Sequence, residues 1–100
     1  MSTILSGVFR FPADRLEAAR VALADMMAGC RAQDGCLACV YSQSLIDPDQ
    51  FHVFQVWRDE AAFRANHDAP HFARWRAARE ALGLYDRRYF LHEAGESREA

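Results

Sequence analysis

The sequence of 100 residues contains no lysine: all twelve basic residues are arginine, and with fourteen acidic residues they give a net charge of −2. The arginines are spread along the chain, which argues against a nucleic-acid surface or a basic membrane-binding helix. No apolar run approaches the ~18 residues of a membrane span, and the N-terminus lacks the charged-then-apolar pattern of a secretion signal. We therefore expect a cytoplasmic protein without a nucleic-acid or membrane partner.

Patterns that bind cofactors are missing as well. The five glycines are scattered, so the chain has no glycine-rich phosphate loop and no flavin or nicotinamide signature. The three cysteines are an odd number without a secretory context, and we expect reduced thiols. Cys36 and Cys39 have the spacing of a redox or zinc pair, but positions i and i+3 of a strand point to opposite faces. We therefore interpret them as structural and expect no cofactor.

Hydrophobic periodicity and turn residues predict four strands, one helix in the first crossover and two consecutive helices in the second. The strands are predicted at Thr3–Phe11, Cys36–Leu45, Phe51–Trp57 and Leu84–His92, and the helices at Arg15–Gln33, Glu60–Asn66 and Pro70–Leu82. This βαββαβ order indicates a ferredoxin-like α+β domain, a four-stranded antiparallel sheet with its helices on one face. Residues 1–94 form this single domain, and residues 95–100 form a polar tail.

Local signals set the helix ends. Asp14 stands three residues before Glu17, the spacing of a capping box, and Asp59 is placed to cap the short helix. Gly35 and Gly83 follow the two long helices, where a left-handed residue is common. The first helix carries an apolar stripe that consists of Leu16, Ala19, Leu23, Met26, Met27 and Cys30.

Two of the strands are apolar on both faces. Phe51, Val53 and Trp57 point one way on the third strand, whereas Phe54 and Val56 point the other way. The second strand has Val40 on one side and, on the other, Leu37, Tyr41 and Leu45. Helices cover only one face, so a second copy of the sheet is the simplest cover for the other. The alternative is that the exposed apolar side chains are tolerated.

The segment from Phe51 to Phe72 has an aromatic-rich strand ending in Trp, then Asp-Glu, a helix ending in His, and Pro-His-Phe. These are Trp57, Asp59, Glu60, His67, Pro70, His71 and Phe72, and Gly35-Cys36 followed by Tyr41 precedes them. Over about Ile4 to Phe90 the chain resembles the antibiotic biosynthesis monooxygenase family. The resemblance implies a dimeric α+β barrel with a pocket between sheet and helices in each subunit. The family includes quinol oxygenases, polyketide-tailoring oxygenases, isomerases and haem degraders.

His67 is the first candidate for a catalytic residue. Imidazole exchanges protons near neutral pH, so His67 is suited to act as a general base or a hydrogen-bond donor at the pocket mouth. The alternative is a histidine that caps the short helix. The substrate-binding candidates are Trp57, Tyr41, Asn66, His71 and Phe72. Trp57 and Tyr41 are candidates for aromatic pocket walls or for core packing, and Asn66 for a bond to a substrate oxygen or for a helix end.

Two further pairs allow more than one interpretation. His67 and His71 have the i, i+4 spacing of a helical zinc pair, but Pro70 interrupts the helix between them and no third ligand is evident. We therefore expect no metal. Arg87 and Arg88 are neighbours on the last strand and point to opposite sides. One of them faces the pocket or the dimer, where it would hold a phenolate or enolate oxygen or form a salt bridge.

The resemblance implies a cofactor-independent monooxygenase that oxidises an electron-rich aromatic, a quinol or polycyclic phenol, with dioxygen. His67 would remove a proton, and the resulting anion would donate an electron to dioxygen. A non-redox dimer that binds or isomerises a small molecule is the first alternative. A haem-degrading oxygenase is the second, although the first strand has no Asn and the later helix offers Trp75 and Arg76 after His71.

Overall fold

The computed structural model describes all 100 residues and contains one four-stranded sheet. Its strands are β1 (Ser2–Arg10), β2 (Cys36–Gln43), β3 (Gln50–Trp57) and β4 (Tyr85–Ala94). They lie in the order β2-β3-β1-β4, and every neighbouring pair is antiparallel. The predicted ferredoxin-like α+β fold is confirmed, including the two-stranded hairpin of β2 and β3. Residues 95–100 are exposed and belong to no element.

Three helices cover one face of the sheet: α1 (Leu16–Arg31), α2 (Glu60–Asn66) and α3 (Pro70–Leu82). The predicted stripe of α1 faces the sheet, with Ala19, Leu23, Met26 and Cys30 buried and the other two members packed against them. From the sheet, the alternate β3 residues Phe51, Val53 and Trp57 meet this stripe. None of the helices is long and apolar enough to cross a membrane.

The signals at the helix ends were mostly correct. The Asp59 side chain accepts a hydrogen bond from the Ala62 backbone N–H at 2.8 Å and so caps α2. Gly83 ends α3 with φ +81° as predicted, whereas α1 already ends at Arg31, and Gly35 takes φ +85° in the later turn before β2 rather than at the helix end. The predicted capping box at Asp14 is wrong. The chain enters α1 through a 3₁₀ turn at Ala13–Arg15, and no side chain caps either helix start.

The second strand begins at Cys36 as predicted but differs from its prediction at its C-terminal end and in its regularity. It stops at Gln43, and Leu45 lies fully exposed in the turn that follows. A bulge between Cys36 and Ala38 breaks the alternation, so Cys36 packs against the same core that buries Cys39. The argument that these two cysteines point to opposite faces is therefore wrong. Leu37, at the bulge, is exposed rather than facing the core.

The sheet face opposite the helices carries an apolar row. Val40 pairs with Phe54, Phe54 with Ser6, and Ser6 with Phe90, so the row crosses all four strands. The three apolar side chains are 42%, 47% and 53% exposed. The prediction of two apolar faces is confirmed, and no element of the chain covers this one.

Candidate active site

A cavity of about 400 Å³ opens between the helix-covered face of the sheet and the α2–α3 pair. Its apolar and aromatic lining consists of Leu5, Tyr41, Phe63, Phe72, Trp75 and Tyr89. Its polar lining consists of Gln55, His67, Arg76, Arg79 and Arg87. The volume and the mostly aromatic wall with a few convergent polar groups are typical of small-molecule sites.

His67 lies in this cavity at the break between α2 and α3. Its ring packs edge-on against Phe63, with centroids 4.9 Å apart, and tilts against Phe72 at 4.4 Å. Its Nδ1 is 3.1 Å from the Phe63 carbonyl oxygen. A carbonyl only accepts, so Nδ1 carries the proton and donates, and the neutral ring leaves Nε2 with a free lone pair. His67 therefore bonds the end of α2, as the capping alternative predicts, and it also lines the cavity, as a general base would require.

A buried chain of hydrogen bonds sets the orientation of Tyr41. Trp57 Nε1–H donates to Gln55 Oε1 at 2.9 Å, and Gln55 Nε2–H donates to the Tyr41 hydroxyl oxygen at 3.3 Å. Because that oxygen accepts from Gln55, its own proton is free to donate elsewhere. Burial raises the pKa of Tyr41 well above its ordinary value, so the hydroxyl stays protonated. The cavity therefore presents an oriented O–H donor.

Trp57, Asn66 and His71, which were predicted to contact substrate, do not line the cavity. Trp57 is fully buried, and its effect on the site passes through Gln55. Asn66 Nδ2–H donates to Cys30 Sγ at 3.4 Å, and its Oδ1 accepts from His71 Nε2–H at 2.6 Å. These bonds join α1, α2 and α3 in the core. Tyr41, His67 and Phe72 are the predicted site residues that the structure brings together.

The two histidines that had zinc-like spacing thus have different surroundings. His67 faces the cavity, whereas the His71 ring lies against the backbone of Gly29 on α1. Burial lowers the pKa of His71, and the charge of Arg74 lowers it further, although Asp25 opposes both. No three side chains of the His, Cys, Asp and Glu types are grouped so that they could hold a metal ion.

Three arginines, Arg76, Arg79 and Arg87, line the cavity. Six of the twelve arginines form ion pairs and Arg31 donates to a backbone carbonyl, but Arg76, Arg79 and Arg87 do neither. The Arg76 guanidinium lies 4.5 Å from the centroid of the Phe72 ring. Burial lowers the pKa of Arg79, and the nearby charge of Arg87 adds to the effect.

Tyr89 also lines the cavity. Its hydroxyl is the one buried side-chain polar atom without a hydrogen-bond partner, and the Arg87 guanidinium lies 5.3 Å from its ring centroid. Burial raises the pKa of Tyr89 to about 12, so the group is a donor without an acceptor at neutral pH. Arg88, as predicted, points to the opposite side, where it borders a shallow groove with Phe54 and Phe90.

Sequence reasoning missed several lining residues, and helical periodicity from Phe72 would have found three of them. Phe72, Trp75, Arg76 and Arg79 follow i, i+3, i+4, i+7 on α3 and therefore share one helix face. Gln55 interrupts the apolar face of β3 between Val53 and Trp57. A polar residue at such a position is buried and must have a partner, which marks it for attention.

The fold and cavity together define a small α+β domain with a cavity of the size and lining typical of a small-molecule site. The family model for "Antibiotic biosynthesis monooxygenase" matches residues 3–78. The chain belongs to this family, and the predicted relationship is confirmed. Family membership supports a general monooxygenase function. No curated protein matches the chain significantly.

Solved structures show the same fold. A Deinococcus radiodurans protein named for the same family is 24% identical, with a TM-score of 0.90 over 98% of this chain and 97% of that one. PA3566 from Pseudomonas aeruginosa is 26% identical, with a TM-score of 0.85 and 95% of each chain covered. SnoaB, a cofactor-independent oxygenase from Streptomyces nogalater, is 19% identical, with a TM-score of 0.81 over 96% and 95%.

Proposed function

We propose that the protein is a cofactor-independent monooxygenase that oxidises an electron-rich aromatic, a quinol or a polycyclic phenol, with dioxygen. The observation that supports the proposal best is the tautomer of His67. Its Nδ1–H is held by the Phe63 carbonyl, so its free Nε2 lone pair is the proton acceptor in a cavity with aromatic walls. A general base within reach of a bound phenol is the group that this reaction needs.

The chemistry requires little else from the protein. Dioxygen is a triplet and reacts slowly with neutral closed-shell aromatics, whereas a phenolate or carbanion donates an electron to it readily. Nε2 of His67 takes the proton, the anion passes one electron to dioxygen, and the radical pair combines to a peroxide. Loss of water leaves a carbonyl, so one oxygen atom enters the product and the other leaves as water. The substrate supplies all the electrons.

The cavity walls would bind the substrate and stabilise the anion that the reaction forms. The rings of Phe63, Phe72 and Trp75 accept a flat aromatic and exclude water, which strengthens electrostatic interactions inside the site. The Tyr41 O–H, oriented by Gln55, donates to a substrate oxygen on which negative charge develops. Binding therefore orients the substrate and stabilises its anion without a further group.

The same proposal includes a homodimer. The row formed by Val40, Phe54 and Phe90 is exposed in the single chain and lies on the face that no helix covers. Contiguous apolar patches of this kind mark association surfaces, and a second sheet of the same sequence is self-complementary by two-fold symmetry. Each protomer would keep its own cavity on the opposite, helix-covered face.

Oxygen uptake tests the proposed reaction. The protein is incubated in an oxygen electrode with 1,4-naphthoquinol or anthrone, and protein-dependent consumption above the rate of autoxidation is expected. In ¹⁸O₂ the anthrone product should carry one labelled oxygen. Conversion of a carbonyl compound without oxygen uptake would instead favour the isomerising alternative. No uptake with either substrate, in protein of the native melting temperature, would count against the oxygenase.

A further inference from the structure

We infer that the natural substrate is an aromatic carboxylate, with the ring system in the aromatic cavity and the carboxylate held by Arg76, Arg79 and Arg87. This inference rests on the proposed function, because it names the substrate class of the same site. The three guanidinium groups and the Tyr89 hydroxyl form one group of donors, which we call the anion end of the cavity. Three features of the anion end support the inference: its missing partners, its charge, and its distance from His67.

The first feature is that the guanidinium groups of the anion end have no acidic partner. Each guanidinium has five donors in a planar fork that matches a carboxylate. Elsewhere in this chain arginines find such partners, as Arg74 does in its two-pronged bond to Asp25 at 2.9 and 3.1 Å. At the anion end no carboxylate comes within 4.0 Å of a guanidinium, although Glu80 and Asp86 border an adjoining outer groove of about 580 Å³. The buried Tyr89 hydroxyl lacks an acceptor as well.

The second feature is the positive charge of the anion end. Guanidinium stays protonated at every physiological pH, so the anion end is permanently cationic and its members repel one another. A neutral phenol would leave that repulsion in place when it binds. A carboxylate is ionised at neutral pH and neutralises part of it from the first contact. The shared boundary of the cavity and the outer groove, where all three arginines lie, gives such a group access from solvent.

The third feature is the distance between His67 and the far side of the anion end, which bears on the shape of the substrate. His67 packs on Phe72, and Arg79 lies seven residues further along α3, which is about 10 Å of helix at ~1.5 Å per residue, whereas Arg76 stands beside Phe72 itself. The proton that His67 removes and a carboxylate held by Arg79 and Arg87 therefore lie at opposite ends of a fused-ring substrate. An aromatic acid with the two groups on neighbouring carbons would reach only one end of the cavity.

Calorimetry with three naphthalene probes tests the inference without turnover. We expect 6-hydroxy-2-naphthoate, with its hydroxyl and carboxylate at opposite ends, to bind at least ~10-fold more tightly than 6-hydroxy-2-naphthamide. A hydrogen bond between charged groups is strong enough to change the affinity by this factor. The isomer 3-hydroxy-2-naphthoate should also bind more weakly. Equal affinity for acid and amide, or no binding of the acid at millimolar concentration, would overturn the inference.

Substitutions then locate the effect. Arg79→Gln and Arg87→Gln should each weaken binding of the acid by ~10-fold or more and leave binding of the amide nearly unchanged. Arg98→Gln, in the polar tail, removes the same charge from the molecule without touching the cavity and should bind the acid as the native protein does. If all three variants lost affinity equally, the effect would be one of net charge and the anion end would be refuted. Melting temperatures show that each variant is folded.

Oxygen uptake in the same samples separates the two proposals. Selective binding of 6-hydroxy-2-naphthoate without oxygen consumption by it or by any quinol would count against the oxygenase and leave anion recognition standing. Oxygen uptake with neutral quinols, together with equal binding of acid and amide, would support the oxygenase and refute the anion end.

Discussion

Tyr89 lies directly across Gly7, its partner in the register of β4 with β1. A Cβ on Gly7 would stand 2.5 Å from Cδ1 of the Tyr89 ring and 2.5 Å from the Arg88 carbonyl oxygen. A Cβ atom does not approach non-bonded atoms this closely, so the Tyr89 ring occupies the space that a side chain at position 7 would need. The position of Tyr89 in the cavity therefore depends on a residue that has no side chain.

Gly7→Ala should push β4 and Tyr89 outward. We expect a loss of about 1–3 kcal/mol in the free energy of unfolding, as for other over-packed sites, and weaker binding of 6-hydroxy-2-naphthoate. Thermal unfolding and calorimetry measure the two effects. Gly95→Ala is the matched control, because a Cβ there meets nothing within 4 Å. Unchanged stability and binding in Gly7→Ala would show that the strand pair adapts without moving the ring.

His67→Ala should lower turnover by ~10²–10⁴-fold, the usual contribution of a positioned general base. A substrate that is already ionised should be less sensitive to the substitution. If His67 only caps α2, the variant would instead melt at a lower temperature and turn over normally per folded molecule. Steady-state rates and melting curves on one preparation distinguish these outcomes.

Dimer formation should depend on Phe54, which lies in the apolar row and is 47% exposed in the single chain. Sedimentation of the native protein at micromolar concentration should show twice the chain mass, since a specific interface buries more than ~1,000 Å² in total. Phe54→Glu places a charge from each protomer in the proposed interface and should give monomers. Leu45→Glu adds the same charge at an exposed turn and should leave the dimer intact. A native monomer would refute the prediction.

Stability should fall with acid because of His71. Its pKa in the folded protein is lowered, first by burial and then by Arg74, so the unfolded chain binds the proton more readily. The stability that neutral His71 contributes is complete above pH 6.5, the ordinary pKa of histidine. It is lost as the pH falls below 6.5 towards the lower pKa of His71 in the folded protein. Melting temperatures measured downward from pH 7 should decline over this range. His71→Gln should flatten the decline, at a cost of about 1–3 kcal/mol for the disturbed bond to Asn66; an equal slope in both proteins would contradict the assignment.

Activity should survive treatment with a metal chelator. His67 and His71 have separate surroundings, and no three potential ligands are grouped in the chain. We also expect the purified protein to be colourless. Metal analysis and absorption spectra check both expectations, with oxygen uptake measured before and after dialysis against EDTA. A stoichiometric metal, or activity that returns only when metal is added, would disprove them.

The sequence predicted the fold well because its signals are local. Pro70, Gly83 and Asp59 act within one turn of where they stand, so the ends of α2 and α3 were correct. Asp14 was misread because the capping pattern does not register that Pro12 leads into a 3₁₀ turn. The bulge after Cys36 depends on pairing with β3, and no local pattern marks it.

The site was predicted less completely because it depends on long-range packing. His67, Tyr41 and Phe72 came from the family motif, and all three line the cavity. Asn66 and His71 belong to the same motif, but their side chains turn toward α1 and bond in the core. Which way a side chain turns from a helix junction is decided by the neighbouring helix, which one segment of sequence does not show.

Most of the anion end lies beyond the part of the chain that the family model matches. That match covers residues 3–78, which include His67, Arg76 and most of the aromatic wall. Arg79, Arg87 and Tyr89 follow that segment, at the end of α3 and on β4. The proposed proton acceptor and most of the proposed carboxylate site therefore occupy consecutive stretches of the sequence. A chimaera that takes its last strand from a relative would keep His67 and replace Arg87 and Tyr89, so β4 is the natural segment to exchange when new substrates are sought.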